Sequence, residues 1–359
     1  MGGANPVIRV LIVDDSGVVR KMVSTLLSAD PEIQVVGMAA NGKLGLTQYG
    51  LLRPDVVMLD VIMPELDGLA TLKALRRSDP LAVVIMFSSL TARGAATTLD
   101  ALAAGAIDYV AKPGSGKGSD SMRTLGADLI AKVKLHGHRR RHVTGAPVAF
   151  PPPPVTFPMA KIAAARVHKR LDVVAIASST GGPNALSVLI PALPRDLPVP
   201  VLVVQHMPEL FTKLLAERLN TASQVKVREG SSGEVLEPGV VYIAPGGHHM
   251  ETVRCGNEIH LHFHDGPPEN SCRPAADVLF RSVAASYRGG ALGVVLTGMG
   301  QDGLRGCEAL HKMGAQVVVQ DEASSVVWGM PRAVAEAGLA HAVLPLQSIR
   351  GEILRRVGV

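Results

Sequence analysis

VVAIASSTGGPNALSVL, residues 173–189, runs from an unbroken apolar stretch through a turn of small residues into an amphipathic segment. A strand that reads as one apolar run is buried on both faces, which is the condition of strands in a parallel sheet covered by helices. Glycines at 181 and 182 let the backbone approach a ligand closely, where the start of a helix offers free N–H groups. VPVLVVQHMPELFTKLL at 199–215 and ALGVVLTGMGQDGLRGCEAL at 291–310 repeat the pattern. With apolar runs at 173–177, 199–205, 240–244, 291–297 and 316–320, the part beyond Leu171 is predicted to be an α/β sheet.

The amino-terminal part follows the same rhythm. Apolar runs at 7–15, 35–40, 55–60, 83–89 and 109–111 alternate with amphipathic segments, predicting five βα units in a doubly wound parallel sheet. A helix is expected at 121–136, followed by HGHRRRHVTGAPVAFPPPPVTFP, whose prolines favour an extended spacer and whose Arg139 to Arg141 keep it solvated. The expected organisation is one domain over 1–125, a basic, proline-rich linker over 126–170 and a second domain over 171–359. A length of 359 residues also exceeds one hydrophobic core. Apolar residues, 47% of the chain, can fill two; aromatics are only 3%, so aliphatic side chains must supply the packing.

The net charge of +5 raises the question of nucleic acid, and its distribution answers it. Residues 1–125 carry no net charge, 126–170 carry +8 and 171–359 carry −3, so the excess lies in the expected linker and neither domain is basic. An output domain that binds DNA through a helix-turn-helix is disfavoured on the same ground. Three cysteines, Cys255, Cys272 and Cys307, have no CxxC spacing and read as core or surface thiols. No apolar run is long enough to span a bilayer and no signal-like start is visible, so a cytoplasmic protein is expected.

Two constellations carry chemistry. In the first domain Asp14 and Asp15 end one strand, Asp60 another and Ser88 a third, while Lys112 follows the fifth. The carboxyl edge of an open parallel sheet is its ligand crevice, so these groups are expected to converge. Clustered carboxylates repel unless a hard cation neutralises them, which suits Mg²⁺, and one of them can then accept a phosphoryl group. In the second domain a serine (Ser178 or Ser179), His206 and Asp302 fall at three strand ends. A serine hydroxyl needs an imidazole to take its proton, and a carboxylate to orient that imidazole; exposed N–H groups at Gly298, Met299 and Gly300 can hold an oxyanion. Acyl transfer is the expected reaction class.

VLIVDDS, VVMLDVIMPELDG, MFSSLT and YVAKP resemble the receiver domain of bacterial response regulators. That resemblance implies a flavodoxin-like fold, phosphorylation at Asp60 by a histidine kinase, Mg²⁺ held at Asp14, Asp15 and Asp60, and phosphoryl sensing by Ser88 and Lys112. SSTGGP, QHMP, HDGPPEN, RPAADVLF and TGMGQDG are similar to the catalytic domain of the chemotaxis protein-glutamate methylesterases, the CheB family. The implied fold is Rossmann-like. The implied activity is hydrolysis of glutamate methyl esters on chemoreceptors, with glutamine deamidation, by Ser179 as nucleophile, His206 as base, Asp302 as its orienting partner and Met299 as backbone oxyanion donor. That esterase chemistry is expected to need no cofactor, and no membrane insertion is expected. The family usually has Gly-Ala before its nucleophile where Ala177 and Ser178 stand here; the register to Thr180, Gly181 and Gly182 favours Ser179.

IHLHFHD sets His260, His262 and His264 on one face of a strand, after His248 and His249. A metal-dependent hydrolase built on them is disfavoured, because no cysteine or acidic residue stands at ligand spacing. Trp328 is expected to pack or anchor a loop at the mouth of the site.

Overall fold

Buried aliphatic runs in the amino-terminal unit form β1 (Ile8–Val13), β2 (Ile33–Ala39), β3 (Val56–Asp60), β4 (Val84–Ser88) and β5 (Asp108–Ala111). Between and after them lie α1 (Gly17–Leu27), α2 (Gly42–Leu52), α3 (Gly68–Ser78), α4 (Ala92–Ala103) and α5 (Ser119–Thr144). The strands are parallel in the order β2-β1-β3-β4-β5. The chain therefore moves to one side of β1 and then returns to the other, and the crevice between β1 and β3 opens where the order reverses. Side-chain oxygens cap the first helices: Asn41 Oδ1 accepts from Leu44 N at 2.9 Å and Asp67 Oδ1 from Ala70 N at 2.7 Å.

This computed structural model describes residues 7–112, 119–144 and 171–359, and the chain separates into two compact units, Met1–Pro153 and Pro154–Val359. Helix α5 runs past the 121–136 expected from sequence, into the stretch assigned to the linker. Packing explains why the start of that stretch belongs to the first unit. Leu125, Leu129 and Val133, four residues apart, are buried in the core of this unit, and Lys134 pairs with Asp30 and Glu32 at 3.3 and 2.7 Å. The remainder of the expected linker, 145–170, lies outside the described residues.

The second unit holds a seven-stranded parallel sheet in the order β14-β13-β12-β6-β7-β9-β8. Its strands are β6 (Val173–Ser178), β7 (Val201–Gln205), β8 (Lys226–Glu229), β9 (Val240–Ile243), β12 (Ala291–Val295), β13 (Gln316–Gln320) and β14 (Ala342–Leu344). An antiparallel hairpin, β10 (His249–Cys255) and β11 (Glu258–His264), stands apart from that sheet. The helices are α6 (Gly182–Leu189), α7 (Glu209–Ala222), α8 (Ala276–Tyr287), α9 (Leu304–Lys312), α10 (Met330–Glu336) and α11 (Leu346–Val357). The five apolar runs become strands as expected. The two edge strands β8 and β14 were not expected, since KVRE is mostly charged, AVL is only three residues long, and both are partly exposed. Chain order reverses here between β6 and β12, which places the crevice at the carboxyl ends of β6, β7 and β12.

Candidate active site

At the crevice of the first unit Asp14 and Asp15 follow β1 and Asp60 closes β3. One ligand atom from each lies within 4.8 Å of the others, the single such group of potential metal ligands found among the described residues. Lys112 Nζ sits 2.8 Å from Asp14 Oδ2 and 2.8 Å from Asp60 Oδ1. Burial pushes the Asp60 carboxyl up, against the pull of the Lys112 ammonium. One ammonium leaves two carboxylate charges of three uncompensated, so this all-oxygen donor set fits a hard divalent cation. Ser88 O accepts from Lys112 N at 2.7 Å, while its buried hydroxyl turns to α4 and accepts a 2.7 Å hydrogen bond from Thr98 Oγ1. Thr98 is a partner that no sequence motif announced.

At the second crevice the turn that carries Ser178 and Ser179 and the turn that carries His206 are neighbours. Ser178 and Gln205 are register partners across β6 and β7, and His206 N donates to Ser178 O at 3.1 Å. Gln205 ties the two turns, its Nε2 donating to Ser179 O at 3.0 Å and to His206 O at 3.3 Å. Its Oε1 accepts from the fully buried Ser178 hydroxyl at 2.8 Å. No side chain fits at Gly182, where a Cβ would stand 1.9 Å from Gln205 Oε1. The loop after β12 backs onto the same turn: Ser179 N donates to Thr297 O at 3.1 Å, and a Cβ on Gly298 would meet Ser179 Cβ at 2.9 Å.

His206 Nε2 donates to Asp302 Oδ2 at 2.7 Å. Asp302 is buried and further held by Ala276 N at 2.6 Å, Asp277 N at 3.0 Å and Asn270 Nδ2 at 2.9 Å. The carboxylate thus fixes a hydrogen on Nε2 and leaves Nδ1 as the ring atom that exchanges a proton. Nδ1 lies 3.4 Å from Cys272 Sγ, and no hydrogen bond joins Ser179 Oγ to either ring nitrogen.

A CheB methylesterase family model matches residues 174–353, and a response regulator receiver domain model matches residues 10–118. A protein-glutamate methylesterase/protein-glutamine glutaminase of Trichodesmium erythraeum is 47% identical over 354 residues, covering 98% of this chain and 100% of that one. The chain belongs to the CheB methylesterase family. A relative of the same name from a Nocardioides species is 47% identical over 360 residues, 98% of this chain and 96% of its own. The crystal structure of the Thermotoga maritima CheB methylesterase catalytic domain is 40% identical with a TM-score of 0.51, covering 52% of this chain and 99% of that one. As a CheB methylesterase the protein is a hydrolase under receiver control, and no helix among its described residues is long and apolar enough to cross a membrane.

The electrostatics of this CheB methylesterase follow from burial against pairing. Burial opposes charge on His206, but the hydrogen bond to Asp302 and the contact with Cys272 outweigh it and push its pKa up to about 10. Burial likewise opposes charge on Asp302, and the hydrogen bonds from His206 and the amides of Ala276 and Asp277 hold it below the ordinary carboxylate range. Asn270 also donates to Asp277 Oδ2 at 2.9 Å, bridging two buried carboxylates. Asn270, Gln205 and Cys272 escaped the sequence reading as site residues. The first two lie within quoted motifs, and Cys272 was expected to be a core or surface thiol, whereas folding sets it against the His206 imidazole.

The histidine strand does not gather. His260, His264 and His248 each lie near a separate carboxylate, Glu258 at 3.4 Å, Glu251 at 3.6 Å and Asp265 at 2.5 Å. Acidic partners are therefore present where none was expected, but pairwise and without a shared centre among the described residues. Trp328 anchors the loop as expected: its Nε1 donates to Gln320 O at 2.9 Å and its backbone pairs with Gly298.

Proposed function

We propose that this protein removes methyl groups from glutamate esters on chemoreceptors, and amide groups from receptor glutamines, using Ser179 as nucleophile, His206 as base and Asp302 to orient it. The observation that carries this is the shared placement of Ser179 and His206 at adjacent strand ends, with Asp302 on the far ring nitrogen at 2.7 Å. Ser179 Oγ attacks the ester carbonyl carbon while His206 Nδ1 takes its proton. The backbone N–H of Met299, free of hydrogen bonds to the described residues, holds the oxyanion. Collapse expels methanol, which takes the proton from Nδ1, and water releases glutamate from the acyl-enzyme by the same route; from glutamine the first product is ammonia. Ser178 is set aside as nucleophile because its hydroxyl is sealed and committed to Gln205.

Control lies in the receiver. A histidine kinase donates the phosphoryl group to Asp60, Lys112 contacts it, and Ser88 exchanges Thr98 for it. Asp14, Asp15 and Asp60 would hold Mg²⁺, which supplies charge neutralisation for phosphoryl transfer. The esterase steps need no metal. A first domain that extends through α5 and a second over 171–359 act in the cytoplasm on the cytoplasmic parts of receptors.

The pH profile of methanol release from methyl-labelled receptors tests the base. Only neutral His206 accepts a proton, and Asp302 raises its pKa, so activity is expected to climb as pH rises above 7. Asp302→Asn removes that effect; the limb moves to lower pH while kcat falls by about 10⁴-fold. A limb that stays in place in Asp302→Asn would remove His206 from the role.

A further inference from the structure

Cys272, His206 and Asp302 form a continuous chain in the folded protein. Sγ lies 3.4 Å from Nδ1, and Nε2 lies 2.7 Å from Oδ2. A nucleophile on a base, itself oriented by a third group, is the arrangement that activates thiols as it does hydroxyls. Cys272 is partly open to solvent, so small molecules reach it, while Cys307 is sealed in the core and Cys255, though exposed, has no such base beside it. Nδ1 is also the one ring atom available to Ser179, since Nε2 is committed to Asp302.

We infer that Cys272 is a thiol modification site that switches the esterase off, by reacting with hydroperoxides and placing its oxidised sulfur on the nitrogen Ser179 needs. Sulfur attacks the outer oxygen of hydrogen peroxide and an S–O bond forms as the O–O bond breaks. The thiol proton passes to His206 Nδ1 and on to the departing oxygen, giving water; sulfur is oxidised to a sulfenic acid and the peroxide reduced. The sulfenic oxygen then occupies Nδ1 and keeps Ser179 without a base. Thiol reductants restore the enzyme, because sulfenic acid is the reversible rung of cysteine oxidation. The loss of esterase activity rests on His206 being the base for Ser179; the reactivity of Cys272 rests on geometry alone.

Full-length protein is treated with hydrogen peroxide, and sulfenic acid is trapped with dimedone and mapped by peptide mass spectrometry alongside methanol release. The label is expected on Cys272 ahead of Cys255, in step with lost activity, and dithiothreitol is expected to restore release. Inactivation of Cys272→Ser should be at least about tenfold slower, and labelling of Cys272 in His206→Gln should slow to a similar degree, as the loss of a general base requires. Ser179→Ala should label at the wild-type rate, which separates this inference from the nucleophile assignment. Inactivation of Cys272→Ser as fast as wild type, full activity with Cys272 oxidised, or labelling indifferent to His206 would each overturn it.

Discussion

Ser179→Ala is expected to abolish methanol release, with kcat falling by about 10⁶-fold, the scale on which removal of a triad nucleophile acts. The loss should be confined to chemistry. Ser179 makes its hydrogen bonds to the fold through its backbone, N to Thr297 O and O from Gln205 Nε2, and both survive the substitution. Receiver phosphorylation and the unfolding midpoint should stay at wild-type values. Ser178→Ala makes the contrast: it strands Gln205 Oε1 in a buried site, costing about 1–3 kcal/mol of stability, while the nucleophile remains. Equal methanol release from Ser179→Ala and wild type would refute the assignment.

Asp60→Asn is expected to remove all stimulation of the esterase by a small-molecule phosphodonor such as acetyl phosphate, and all incorporation of its phosphoryl group. An amide oxygen does not serve as the nucleophile that forms an aspartyl-phosphate. It also lowers the negative charge that Lys112, 2.8 Å away, and a divalent cation answer. Basal methanol release should persist, since none of the residues proposed for the esterase lies in that unit. Exhaustive chelation should reproduce the phenotype in wild type: no phosphorylation, unchanged basal release. Undiminished stimulation of Asp60→Asn would place the accepting carboxylate elsewhere, and a basal rate lost on chelation would return the metal-hydrolase reading to contention.

Strand positions were legible because buried parallel strands announce themselves as aliphatic runs, and 173–177, 240–244 and 316–320 fall on β6, β9 and β13. Placing Ser179, His206 and Asp302 at one rim followed from the same runs, since βα turns after neighbouring strands converge. What composition concealed lies where tertiary contact decides. The start of the expected linker is helical and packed because Leu129 and Val133 have a core to enter, which local charge does not reveal. Edge strands β8 and β14 owe their conformation to pairing with β9 and β13. Cys272 is sixty-six positions from His206, and nothing in its spacing signals that the two meet. Ring orientation was equally hidden: which imidazole nitrogen faces Asp302 depends on torsions that only packing sets.

Gln205 fastens the two turns of the esterase crevice to each other. Its amide holds a carbonyl on each side of the reactive gap and satisfies a buried hydroxyl as well. Any drift of one turn from the other would strand several desolvated dipoles together, which costs far more than a gradual loosening could recover. Alignment in this enzyme is consequently all-or-none: a damaged preparation should contain fewer working molecules, each turning over at full speed, in place of a uniform population that has slowed.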